Sequence, residues 1–190
     1  KMVLTKEDGQ YLIDVAREAI ELYLDNRIKI SVPKDCPKYL FEKLGVFVTL
    51  NKNNNLRGCI GYPEPVMPLI EATINSAISA AVSDYRFPIV RTSELPDIRI
   101  ELTVLTKPEL IEVDNPHDYP SKITIGEDGL IIEEGYSKGL LLPQVATENN
   151  MDEEEFLSHT CLKAGLSPNA WFSEDVEIYK FQGQIFDEII

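Results

Sequence analysis

Residues 46–60 read VFVTLNKNNNLRGCI, and the fold turns on how this stretch is read. Val46, Phe47, Val48, Thr49 and Leu50 form a β-rich run. The tract Asn53-Asn54-Asn55 that follows is turn chemistry, because asparagine tolerates left-handed backbone and bonds its own main chain. LRGCI then returns to strand character, so 46–60 is a hairpin.

The elements on either side of it are helical. Upstream, Thr5 with Asp8 three residues later makes a capping box with Asp in place of Glu. Leu12, Val15, Ala16, Ala19, Ile20 and Tyr23 then recur at helical spacing to near Asn26. Downstream, Pro63, Pro65 and Pro68 bracket a turn, and Pro68 suits the start of a helix. Leu69, Thr73, Ile74, Ala77, Ile78, Ala81 and Val82 give that helix a small-residue face for close packing on a sheet. Pro88 ends it, since the residue before a proline is driven from helical dihedrals.

Further along, IRIELTVLT alternates, with Ile98, Ile100, Leu102 and Val104 on one face and Arg99, Glu101 and Thr103 on the other. KITIGEDGLIIEE predicts a hairpin turning at Asp128-Gly129. GLLLPQVATENN passes from strand into a helix near Pro143. MDEEEFLSHTCLKAG predicts a helix with acid in its first turn, Lys163 in its last and Gly165 as its stop. DVEIYKFQGQIFDE reads as one closing strand. Helices and hairpins alternate without a βαβ rhythm, which defines an α+β chain with a mixed, largely antiparallel sheet.

Composition bounds the function. At 190 residues the chain is expected to form one domain or two small lobes. Its net charge of −14 repels polyanions, so neither nucleic acid nor an anionic membrane is an expected partner. The start, KMVLTKEDG, lacks the apolar core of a signal peptide, and no apolar run reaches the roughly 20 residues that span a bilayer. Three separated cysteines, Cys36, Cys59 and Cys161, point to reduced thiols and a cytoplasmic location. His159 and Cys161 stand two apart on a helix and face different ways, so no metal is expected. His117 lies in a proline-flanked loop and is expected to be exposed; His159 is expected to be partly buried. P-loop, GxGxxG, GxSxG and HExxH patterns do not occur, and no cofactor is expected.

The candidate site lies in LRGCIG. Alternation along the strand puts Leu56, Gly58 and Ile60 on one face and Arg57, Cys59 and Gly61 on the other. A guanidinium beside a thiol favours the thiolate, and a glycine without a side chain leaves room for a ligand or another backbone. Against this, most free cysteines are buried packing. Asp84 and Arg86, in SDYRFP, either rim the thiol with Arg57 or serve the fold, pairing with each other or capping that helix end. Glu101 is either a base or arginine partner, or an ordinary strand carboxylate.

LRGCIG, with GVFVTL before it and AAVSDYRFP after it, resembles the signature of the AMMECR domain. That family is named for the Alport syndrome, midface hypoplasia and elliptocytosis chromosomal region. The similarity continues through IELTVLT, GEDGLIIEE, LLPQVATE and FLSHTCLKAGL…AW, so residues 1–190 are expected to be a single AMMECR-type domain of the prokaryotic and archaeal kind. The resemblance implies an α+β fold with a larger and a smaller lobe and the LRGCIG strand beside a cleft between them. It also implies partnership with Memo-type dioxygenase-like and radical-SAM proteins. It supplies no reaction. Two functions follow: a non-catalytic binding or adaptor module, or accessory subunit, or an enzyme with Cys59 as thiolate nucleophile on a small anionic substrate. In either, Arg57, Gly58, Gly61, Asp84, Arg86 and Glu101 line the ligand position.

Overall fold

The computed structural model describes residues 3–189. The chain divides into two compact units, Lys1–Leu105 with Gln184–Ile190, and Thr106–Gly183.

In the first unit, helix α1 (Lys6–Asn26) opens on the expected capping box, with Thr5 accepting from the Asp8 amide and Asp8 from the Thr5 amide. Strands β1 (Val46–Lys52) and β2 (Asn55–Tyr62) form the hairpin around Asn53 and Asn54, which both take positive φ. Helix α2 (Leu69–Val82) follows Pro68, and β3 (Ile98–Leu105) pairs antiparallel with β1. A strand from the end of the chain, β8 (Gly183–Asp187), completes a sheet in the order β2-β1-β3-β8. Val46, Val48, Leu50, Ile100 and Leu102 project from one face into a core with Leu12, Ala16, Ile20, Ile70, Ile74 and Ala77 of the two helices. The alternation read from the sequence is the reason: one strand face is apolar, and α1 and α2 bury it.

The second unit carries β4 (Glu109–Leu110), β5 (Gly129–Glu134), β6 (Ser137–Leu141) and β7 (Glu177–Phe181), ordered β4-β7-β5-β6, with β8 being the strand 183–187 of the first unit. Its helices are α3 (Pro143–Glu148) and α4 (Glu153–Lys163). Leu130, Ile132, Phe156, Leu157, Cys161, Trp171 and Ile178 make a separate core.

Three expectations need correction. The hairpin does not turn at Asp128-Gly129: β5 begins at Gly129 and pairs with β6 across Gly135, whose φ is +60°. Asp128 is buried instead, its carboxylate accepting from the Thr124 amide and the Gln182 side chain. A buried acceptor holding two donors outweighs a local turn preference. The closing segment is two strands, β7 and β8, which break at Gln182 and belong to different sheets. Finally, His159 is exposed on α4, while its neighbour Cys161 is fully buried. His117 is exposed as expected and meets the Phe172 ring edge-on at 5.2 Å.

Candidate functional site

Strand β2 is an edge strand, so one side of its backbone has no neighbouring strand. Unpaired strand edges invite aberrant pairing and are covered in stable proteins. Here the cover is the loop after α2. The Asp84 carboxylate accepts from the Cys59 amide at 3.0 Å, and the Arg86 guanidinium donates to the Cys59 carbonyl at 3.4 Å. Arg86 also grips Asp84 through Nη2 at 2.7 Å and Nε at 3.0 Å. Asp84 has 2% of its side chain exposed and is held well below the usual carboxylate range, first by Arg86 and then by the Cys59 and Arg86 amides. Of the two roles open to this pair, the structure shows mutual pairing combined with a grip on the strand's main chain.

Arg57 is fixed nearby. Its guanidinium meets both Glu94 oxygens, at 3.1 and 3.2 Å, and donates to the Pro88 carbonyl at 2.9 Å. Lys52 reaches the same carboxylate at 3.0 Å. With Arg57 as the largest cause, the Glu94 carboxyl is lowered to about 2. The pairing register shifts between Leu50 and Asn51, where Leu56 rather than Arg57 stands opposite Asn51. A bulge of this kind re-aims the side chain of the extra residue. The Arg57 charge is thus neutralised by Glu94, which strand alternation had no means of showing.

Cys59 lies in a different setting. It pairs with Thr49, which pairs with Glu101 on β3, so the three form a row across adjacent strands. Because Val48 and Leu50 point into the core, this row is on the sheet's other face. The Cys59 sulfur is 3.2 Å from the Thr49 hydroxyl. Asp187 of β8 lies beside Glu101, and burial followed by that like charge pushes the Glu101 carboxyl above the ordinary range. Asn51, Arg99, Glu101 and Asp187 line a cavity of about 370 Å³ on this side.

The two glycines meet main chain. A Cβ on Gly58 would strike the Ala80 carbonyl of α2, and one on Gly61 the Val46 carbonyl and the Phe47 Cα. Of the two occupants that the glycines left open, a ligand or another backbone, neighbouring backbone fills the space at both. Sequence reasoning missed Glu94, Thr49 and Asp187. Glu94 had a signal in the spacing Arg91-x-x-Glu94, for the Arg91 amide donates to Glu94 at 2.8 Å. Thr49 and Asp187 are brought to Cys59 and Glu101 only by strand pairing. Among the described residues, no group of three or more Asp, Glu, His or Cys is arranged to hold a metal.

An α+β chain with two compact units, its LRGCIG edge strand clamped by the acid and base of a DYRF segment, is the class of protein seen here. The chain belongs to the AMMECR1 family, whose profile it matches over residues 13–186. It is 54% identical over 185 residues to a protein of Methanothermobacter thermautotrophicus, covering 97% of this chain and 96% of that one. It is likewise 54% identical over 187 residues to protein PF1979 of Pyrococcus furiosus, covering 96% and 89%. The crystal structure of the uncharacterized protein PH0010 from Pyrococcus horikoshii matches with a TM-score of 0.86 at 53% identity, over 97% of this chain and 93% of that one. No helix among the described residues is long and apolar enough to cross a membrane.

Proposed function

We propose that this protein is a non-catalytic binding module, an adaptor or accessory subunit that acts with Memo-type and radical-SAM proteins in the cytoplasm, and that 1–190 works as a single AMMECR-type domain. One observation carries the reading. Asp84 and Arg86 are spent on holding the β2 edge, and between them Tyr85 stands out into solvent at 95% exposure. An aromatic ring presented from a clamped backbone loses little entropy on docking, and tyrosine is among the residues enriched at the centres of protein interfaces.

The test is titration calorimetry of the purified chain against a Memo-type protein and a radical-SAM protein from the same genome. Binding to either, weakened at least tenfold by Tyr85→Ala and unchanged by Cys59→Ala, is the expected result. Absence of binding to both, or equal binding by Tyr85→Ala, overturns the reading.

A second reading, an enzyme using Cys59 as thiolate nucleophile, draws on the Thr49 hydroxyl 3.2 Å from the sulfur and on Glu101 next in the row. In that reading Glu101, with its raised pKa, supplies the base that a thiol nucleophile needs. It requires Cys59 to react with iodoacetamide faster than the buried Cys36 and Cys161 in the folded protein. Equal or slower labelling removes it.

A further inference from the structure

A second pocket, of about 510 Å³, lies where the end of α1 meets the loop 88–92. Its floor and walls are apolar: Leu24 of α1, Pro88, Val90, and Ile89 with 53% of its surface exposed. Two cations, Arg27 and Arg91, also line it. The other arginines on this side are consumed, Arg57 by Glu94 and Arg86 by Asp84. Arg27 and Arg91 are not: among the described residues neither side chain has a carboxylate partner, and the Arg27 guanidinium sits over the Tyr23 ring, 5.6 Å from its centroid. The cap at the α1 end is made by the Arg27 backbone amide, which donates to the Tyr23 carbonyl and leaves the side chain available.

The pocket is also built rigidly. The Pro88 carbonyl is held by Arg57, the Val90 amide by the Ala81 carbonyl at 2.9 Å and the Arg91 amide by Glu94. Three successive anchors fix a loop that would otherwise move, so the pocket's shape exists before anything enters it. Asp25, the nearby acid, accepts from the Thr92 hydroxyl. In a chain of net charge −14, the charged residues that line this pocket are two arginines, with Asp25 beside them.

We propose that this pocket binds a small amphiphilic anion, a carboxylate or phosphate monoester whose apolar body rests on Leu24, Pro88 and Ile89 while Arg27 and Arg91 hold its headgroup. Guanidinium forks match both headgroups. The site is independent of the Cys59 row and of the partner reading above; Arg57 serves it as a positioning residue through Pro88.

The experiment is a ¹H–¹⁵N correlation titration of the full chain with phenyl phosphate and with hexanoate, against inorganic phosphate and hexylammonium as controls. We expect amide shifts confined to residues 24–27 and 88–92 with at least one of the two amphiphilic anions, at least tenfold weaker binding of inorganic phosphate, and none of hexylammonium. Arg91→Ala and Arg27→Ala, both at exposed positions, should each weaken binding at least tenfold while the remaining spectrum stays that of the parent. Ile89→Ala should weaken the amphiphilic anions but not inorganic phosphate. Absence of shifts at millimolar concentration, equal binding of inorganic phosphate, binding of hexylammonium, or full affinity in the arginine variants would each overturn the assignment.

Discussion

Arg57 illustrates what a single residue carries. It holds Glu94 and Pro88 at once, with 12% of its side chain exposed against 16% for Glu94. Removing Arg57 takes two charge-assisted hydrogen bonds from a largely buried Glu94 and leaves it Lys52 and the Arg91 amide, so Arg57→Ala should cost about 2 kcal/mol in denaturant unfolding at neutral pH. The pH dependence follows from Glu94, whose carboxyl drops from an ordinary 4.5 to about 2. A lowered carboxyl contributes stability that is fully present above 4.5 and lost as pH falls toward 2. The difference between parent and Arg57→Ala should therefore shrink across that window. Glu101 has the opposite sign. Raised by burial and by Asp187, it costs stability once pH exceeds its folded value and costs nothing well below its ordinary one. Asp187→Asn should accordingly raise the melting temperature at pH 7.5 by a few degrees, with the gain fading toward pH 4. A uniform loss at both pH values would mean that Asp187 is structural.

At the scale of elements, β2 is secured on three sides: β1 pairs with one edge, Asp84 and Arg86 grip the other, and α2 covers one face. Its glycines let these neighbours approach. Gly58→Ala and Gly61→Ala should each destabilise by about 1–3 kcal/mol, because rigid carbonyls and a backbone Cα stand where the new methyl would go. Thermal melts would show this directly, and a neutral Gly61→Ala would restore the idea of ligand space there. The expected Asp128-Gly129 hairpin belongs at this scale too. Its residues had the composition of a turn, yet Asp128 was recruited by Thr124 and Gln182, and the turn moved to Gly135.

For the whole molecule, the second unit is a continuous segment, Thr106–Gly183, inserted between β3 and β8 of the first. It has its own sheet and its own buried cluster around Phe156, Ile132 and Trp171. A core of its own is what a unit needs to fold by itself. Residues 106–183 expressed by themselves should give a dispersed amide spectrum and a cooperative melt; a collapsed spectrum would show that the first unit is needed. The net charge of −14 belongs to this scale as well, and predicts no shift of generic duplex or single-stranded DNA at physiological salt.

The sequence by itself determined what depends on neighbours a few residues apart. The Thr5 capping box, the 46–62 hairpin, the apolar stripe of α2 and the alternation of β3 all rest on local periodicity and turn chemistry, and LRGCIG with SDYRFP was sufficient to indicate the family. Tertiary structure alone decided what those motif residues do. Arg57 was paired with Glu94 by a loop 37 residues away, Cys59 was set beside Thr49 by strand register, and Glu101 met Asp187 only because the end of the chain returns as β8. The break at Gln182 was equally invisible, since the five strand residues on either side of it read as one run. The physical reason is common to all of these: side-chain chemistry is a property of residues in contact, and contacts between distant segments follow from packing a whole core, which no spacing along the chain encodes.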